Sequence, residues 1–147
     1  MKVQSITKTF DFDMGHRLSN YSGKCRRLHG HSYHLEVEVE NITYLLNEMG
    51  MVMDFGILKD IVKTRLLDEI DHKMMLKIGD PVNEALVKAL EENGQTDHIV
   101  WVEFNPTAEN MVVWMKERIE PHLDGKLRIR RIKLYETPTS FAEVKEV

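Results

Sequence analysis

Cys25, the only cysteine of the chain, stands four residues before His29 in the stretch CRRLHGHSYH. A thiol beside two imidazoles suits metal binding, proton-transfer or nucleophilic chemistry, or both. His29 and His31 are two residues apart, so on a strand both rings leave the same face, and Gly30 between them lets a ligand or another backbone come close. His16 shares a period-two face with Phe10, Phe12, Met14 and Leu18 in the stretch KTFDFDMGHRL. A turn at NYSGK brings the two segments together antiparallel, so that three imidazoles converge on one ion, about 2 Å from each nitrogen in the case of zinc. Three protein ligands leave a tetrahedral ion one open position, the pattern of a catalytic site. Two other readings stand beside it: ordinary core or turn histidines, and a closed site in which Cys25 is the fourth ligand.

If Cys25 does not ligate, it stands near a cation, with Lys24, Arg26 and Arg27 adjacent in sequence. Positive charge favours thiolate, which makes Cys25 a candidate general base or nucleophile near neutral pH. Asp71 and His72 follow the first long helical pattern as a pair that could orient and charge a third group, although a histidine at a helix C-terminus is ordinary. The stretch NPTAEN offers a polar helix cap at Thr107. Glu136 falls at the end of an apolar strand face with Ile132 and Leu134. A carboxylate there needs a donor: an arginine, or a ligand with a paired N–H edge such as a guanidine-like ring.

The elements that must position these groups are legible from periodicity. A first strand covers KTFDFDMGHRL, and a second runs from about Leu28 to Thr43. In the second, His29, His31, Tyr33, Leu35, Val37 and Val39 alternate with Ser32, His34, Glu36, Glu38 and Glu40. One apolar and one acidic face is the pattern of a half-buried antiparallel strand. Leu58, Ile61, Val62, Leu66 and Ile70 then recur at helical steps behind Asp54 as N-cap. Asp80 caps a second helix with Pro81 in its first position and Gly94 at its exit. HIVWVEF is a short strand, and a third helix follows Thr107 and breaks near Pro121. In KLRIRRIKLYE, Leu127 and Ile129 are out of phase with Ile132 and Leu134, which a bulge near Arg130 reconciles. TPTS turns the chain into a last strand, FAEVKEV. The order β-β-α-α-β-α-β-β predicts an α+β domain, residues 1–147, with an antiparallel sheet and helices on one face. Its exposed strand edges are often hidden by oligomerisation.

The 147 residues can bury a core without staples, and a net charge of -4 argues against nucleic-acid partners. Arg17, Lys24, Arg26 and Arg27 nonetheless make a local basic mouth. It is either a seat for a small polyanion or solvated loop charge. A single cysteine makes no internal disulfide, which fits a reducing, cytoplasmic setting. The first residues carry no apolar signal-peptide core, and no apolar run approaches the roughly 20 residues of a membrane span.

The motifs FDMGHRL, CRRLHGHSYHLEVEV, GMVMDFGILK, DH, NPTAEN and YETPTS together resemble the 6-pyruvoyl-tetrahydropterin synthase superfamily, in its order and over most of the chain. The three-residue gap between Cys25 and His29 is most similar to the 6-carboxy-tetrahydropterin synthase branch. The pyruvoyl branch typically has a longer gap, and a third branch has Glu at the position of Cys25. The resemblance implies a tunnelling fold (T-fold) whose sheets close into a barrel around a trimer, with two trimers forming a homohexamer and active sites at subunit contacts. It implies zinc on His16, His29 and His31, Cys25 as proton-abstracting group with Asp71 and His72 completing a relay, and Glu136 holding the pterin by its 2-amino and N3–H edge. Thr107 and Glu109 match a second pterin-contacting segment. Ala108 stands where some relatives carry a hydroxyl, which puts one hydrogen bond in doubt. Arg26 and Arg27 are candidates for binding the triphosphate. The implied substrate is 7,8-dihydroneopterin triphosphate, and the implied products are 6-carboxy-5,6,7,8-tetrahydropterin, acetaldehyde and triphosphate. The runner-up activity keeps the side chain as a pyruvoyl group. A reading of another class is a noncatalytic zinc-stabilised pterin- or purine-binding oligomer, and it predicts a closed site with Cys25 on the metal. The segment from Gly79 to Phe104 is longer than in compact relatives and carries no implied role.

Overall fold

The computed structural model describes residues 2–95 and 97–147. The period-two patterns become β1 (Ser5–His16) and β2 (His29–Asn41), paired antiparallel with Phe12 opposite Tyr33 and His16 opposite His29. Their inward residues Phe12, Met14, Tyr33, Leu35, Val37 and Val39 are all at most 3% exposed and form one wall of the core. Buried Leu58, Val62, Leu66 and Ile70 pack on this wall from the first helical segment. That segment is α1 (Phe55–Val62), a π-helical stretch at Lys63–Leu67, and a closing turn α2 (Asp68–Ile70). Asp54 caps α1 by accepting from the amides of Gly56 and Ile57. The helix α4 (Ala108–Ile119) supplies Met111, Val112, Met115 and Ile119 to the same core.

The other strands are β3 (Lys73–Lys77), β4 (Ile99–Val102), β5 (Leu127–Thr137) and β6 (Ser140–Lys145), and α3 (Pro81–Glu92) joins β3 to β4. The sheet order is β4-β3-β1-β2-β5-β6. Here the structure corrects an expectation. The sheet is mixed, not antiparallel, because β1 pairs with β3, and β3 with β4, in parallel. β3 has five residues, emerges directly from a helical pattern, and pairs with strands distant in sequence, so no local hairpin signal marks it.

Two irregularities aim side chains. Glu38 opposes Arg131 and Val39 opposes Ile129, so Arg130 is the extra residue of a bulge, where the phase slip predicted one. A second bulge falls at Glu136, since Tyr135 opposes Phe141 while Thr137 opposes Ser140.

Candidate metal centre and its surroundings

His16 and His29 face each other across the β1–β2 ladder, with His31 two residues along. Their Nε2 atoms converge: His16 to His29 is 3.0 Å and His29 to His31 is 3.1 Å. The other ring nitrogens explain why. His16 Nδ1 lies 2.8 Å from the Pro106 carbonyl, and His29 Nδ1 lies 2.7 Å from the Arg27 carbonyl. A carbonyl oxygen only accepts, so each Nδ1 carries the proton and each Nε2 presents a lone pair. Two lone pairs 3.0 Å apart repel unless a cation lies between them. Protonation is a poor remedy. Burial, the leading cause, lowers the pKa of both His16 and His31, against the raising influence of the Pro106 carbonyl on His16 and of Glu136 on His31. The donor set therefore fits a divalent metal, held by imidazoles of which two, His16 and His29, have their outer nitrogens fixed by backbone carbonyls. One ligand atom from each of the three histidines lies within 4.8 Å of the others, and the three could hold a metal ion.

Cys25 does not join that group. It lies in the loop between β1 and β2, in a 3-10 turn at Lys24–Arg26, half-buried and free. Its carbonyl accepts from Leu18 N–H at 2.9 Å. The basic neighbours stay at the surface: Arg26 donates to the carbonyls of Ser22 and Gly23, and Arg27 is exposed.

Glu136, turned by its bulge, sets Oε1 3.3 Å from His31 Nε2. The group it faces is thus a histidine of the cluster, which donates to it only when Nε2 carries the proton, and not the arginine that is commoner for such a carboxylate. Tyr33 also belongs to this end of the core. Its ring stacks on Phe12 and lies 5.5 Å from the His31 ring and 6.2 Å from the His16 ring. Its hydroxyl is buried without a hydrogen-bond partner among the described residues. Burial raises its pKa, with further contributions from Glu136 and Cys25. Sequence reading placed Tyr33 on the right face and gave it no part in the site.

Asp71 and His72 form the pair expected: Asp71 Oδ1 is 2.8 Å from His72 Nδ1 and accepts from Asp13 N–H at 3.0 Å. His72 has φ +62° and donates its backbone N–H to the Asp13 carbonyl. The pair does not meet the three imidazoles within one chain. His72 lines a hollow with Asp13, Gly15, Ser32 and Met74, which Met14 and His31 also border, and Asp13, Gly15 and Ser32 alternate along their strands with the inward Met14, His16 and His31. The dyad is therefore on the opposite face of the sheet from the candidate metal. Thr107 caps α4 by accepting from Asn110 N–H at 3.2 Å, and Glu109 lies exposed in the first turn.

Comparison with known proteins identifies the family and the fold. The family model for 6-pyruvoyl tetrahydropterin synthase matches residues 5–147. A Rickettsia bellii protein named 6-carboxy-5,6,7,8-tetrahydropterin synthase is 39% identical over 140 residues, covering 94% of this chain and 97% of its own length. A Haemophilus influenzae protein of the same name is 38% identical over 143 residues, covering 96% and 98%. Among solved structures, an uncharacterized protein from Wolinella succinogenes superposes with a TM-score of 0.85 at 25% identity over the whole of both chains. The 6-pyruvoyl tetrahydropterin synthase of Caenorhabditis elegans shares the fold, with a TM-score of 0.68 at 23% identity over 100% of this chain and 98% of that one. This chain belongs to the 6-pyruvoyl tetrahydropterin synthase family.

Proposed function

We propose that this chain is a zinc-dependent lyase that converts 7,8-dihydroneopterin triphosphate into 6-carboxy-5,6,7,8-tetrahydropterin, releasing triphosphate and acetaldehyde, a step toward 7-deazapurine tRNA bases such as queuosine. The observation that carries the reading is the set of three histidine Nε2 atoms that converge while the only thiol stays outside the ligand group. The likeness to proteins named for the carboxy product supports that product over the pyruvoyl one.

His16, His29 and His31 would hold the zinc, which supplies Lewis-acid stabilisation of charge on the substrate's side-chain hydroxyls, worth several kcal/mol. Cys25 takes the proton from the side-chain carbon as general base. His72, its Nδ1 fixed by Asp71 at 2.8 Å, delivers protons from Nε2. Glu136 accepts from the 2-amino and N3–H edge of the pterin, in place of its present contact with His31. Thr107 and Glu109 flank the ring, and Arg26 and Arg27 face the triphosphate.

Because Asp71 and His72 lie on the far face of their own sheet, the working site joins them to the zinc and Cys25 of a neighbouring subunit. Several features support assembly into a homohexamer of two trimers, each chain being one T-fold domain over 1–147. β3 covers only Met14–His16 of β1, which leaves the edge of its earlier residues open, and β6 is an edge at the other side. Leu45, Leu46, Met49, Met51, Phe55 and Ile57 are exposed together around the start of α1. The accessible surface, 8880 Å² for 17.2 kDa, exceeds the roughly 7,800 Å² of a compact monomer of that mass. No helix of the described residues is long and apolar enough to cross a membrane. A working free thiol suits a reducing cytoplasm.

The test is mass spectrometry of products from 7,8-dihydroneopterin triphosphate, with and without chelator. The carboxy product with acetaldehyde, lost on chelation, supports the proposal. A pyruvoyl product replaces it with the sister activity. Stable binding without turnover replaces it with the pterin-binding oligomer.

A further inference from the structure

The crossover β3–α3–β4, for which the sequence offers no role, grips the chain immediately after His16. One carboxylate does most of the work. Asp80 Oδ1 caps α3 by accepting from Val82 N–H at 2.8 Å. Its Oδ2 accepts from Arg17 Nη1 at 2.6 Å and from Ser19 Oγ at 2.6 Å. Arg17 Nη1 also donates to Asn83 Oδ1 at 3.0 Å, and Asn83 anchors itself by donating to the Lys77 carbonyl. Ser19 is held from a second side by Asn105, which accepts from its N–H at 2.8 Å and donates to its carbonyl at 3.1 Å. The network is interior: Ser19 is 4% exposed and Asn83 is fully buried. The hydrogen bonds from Ser19 and Arg17 hold the Asp80 pKa down to about 2 against its burial, so the carboxylate is charged at neutral pH.

Between the two gripped residues lies Leu18, and Leu18 N–H donates to the Cys25 carbonyl at 2.9 Å. The thiol's own loop is therefore tied to a three-residue stretch whose ends are fixed to α3 and to the segment before α4. Among the described residues, no other backbone–backbone hydrogen bond outside the helices and strands joins Cys25 to the body of the fold.

We propose that Asp80 is a positioning residue for Cys25: through Arg17 and Ser19 it clamps the Arg17–Ser19 stretch, and that stretch fixes the loop carrying the thiol. The crossover thus sets the geometry in which Cys25 meets substrate, without touching substrate itself. This rests on the reading above that Cys25 moves a proton, a step in which a displacement of about 1 Å costs on the order of a hundredfold in rate.

The test compares Asp80→Ala, Asp80→Asn and Ser19→Ala with wild type and with Lys88→Ala, a substitution on the exposed side of α3. It reads kcat, KM, zinc per chain, and the rate of Cys25 alkylation by iodoacetamide. In Asp80→Ala, kcat is expected to fall by about tenfold to a hundredfold with KM and zinc content little changed. Alkylation accelerates severalfold as the half-buried sulfur is freed. Asp80→Asn keeps an acceptor and recovers part of both, and Lys88→Ala changes neither. A purely structural Asp80 would lower the melting temperature while leaving kcat and alkylation at 25 °C as in wild type, and that result overturns the proposal. If Asp80→Ala does not fold, unchanged alkylation in both Ser19→Ala and Asp80→Asn overturns it equally. Should Cys25→Ala turn over like wild type, the role given to the thiol falls, while the alkylation rates still judge the clamp on their own.

Discussion

The two ends of β2 carry polar clusters that solve the same problem in opposite ways. Near Asn41, Glu40 is fully buried, and each of its oxygens has a partner: Arg128 Nε at 2.8 Å on one and Arg130 Nη1 at 2.8 Å on the other. Arg130 is the bulge residue, so the backbone irregularity delivers the second guanidinium. Burial alone would raise the Glu40 pKa, but the hydrogen bonds from Arg130 and Arg128 outweigh it and leave the pKa lowered. At the other end, His16 and His29 are fixed by carbonyls on their outer nitrogens and confront each other with lone pairs, and His31 Nε2 closes on His29 at 3.1 Å. A buried charge that is fully paired serves the fold. A buried donor set whose members repel one another is complete only with something the chain does not supply.

The comparison breaks most severely at His29. His29→Ala removes the central member of the convergent set, and turnover should fall by at least about a thousandfold, the equivalent of losing several kcal/mol of Lewis-acid stabilisation. Metal per chain, read by plasma mass spectrometry, should fall with it, while circular dichroism stays that of the folded chain. Metal retained at the wild-type level would mean that the three imidazoles are not the ligand set.

Cys25→Ala sharpens the same end of β2. Loss of a general base costs about a hundredfold to ten-thousandfold in turnover. Metal content should not change, because the sulfur is outside the ligand group. Metal lost together with activity would instead indicate a closed site and favour the noncatalytic reading.

Glu40→Ala tests the satisfied end. Breaking a buried pair costs about 3–5 kcal/mol, but both guanidinium groups here are partly exposed, 37% and 42%, and water takes up some of their charge. A loss of about 1–3 kcal/mol in a urea titration is expected, with metal content and kcat of the folded protein unchanged. Lost metal with intact stability would erase the distinction between the two clusters.

How much of this was legible depended on whether the determining contact was local. Strict alternation marked β1 and β2 and put His16 in phase with the His29/His31 face on a neighbouring antiparallel strand, while the exact register, His16 opposite His29, is set by the buried face in the folded pair. The phase slip between Ile129 and Ile132 located the bulge at Arg130, since a strand that keeps its apolar face through a slip must carry an extra residue. β3 escaped, and with it the parallel half of the sheet, because its partners lie far away in sequence. The same limit governs the side chains. Asp71 and His72 were recognisable as a pair, but which face they occupy depends on the unseen strand that follows them. Asp80 was readable as a helix cap from Pro81 and the apolar pattern behind it. Its second task was not, for Arg17 is 63 residues away. Glu136 was flagged as a carboxylate wanting a donor, and its contact with His31 depends on a bulge opposite β6 that leaves no trace in local pattern.

The smallest effect separates the two ends by pH. In chelated protein, His16 and His31 have folded pKa values below the usual 6.5, so the unfolded chain binds protons that the folded chain refuses. Stability is therefore whole above about pH 6.5 and declines as pH falls below it, until the depressed folded values are passed. Glu40 is a lowered carboxylate: its contribution is present above its ordinary value of 4.5 and disappears only as pH falls through the folded value beneath that. Thermal melts of chelated protein from pH 8 to pH 3 should show two separate declines. His31→Gln should flatten the upper one and leave the lower, and Glu40→Gln should do the reverse. A single decline that both substitutions shift alike would mean that the two clusters are energetically one, and that the contrast between a completed and an open arrangement along β2 is wrong.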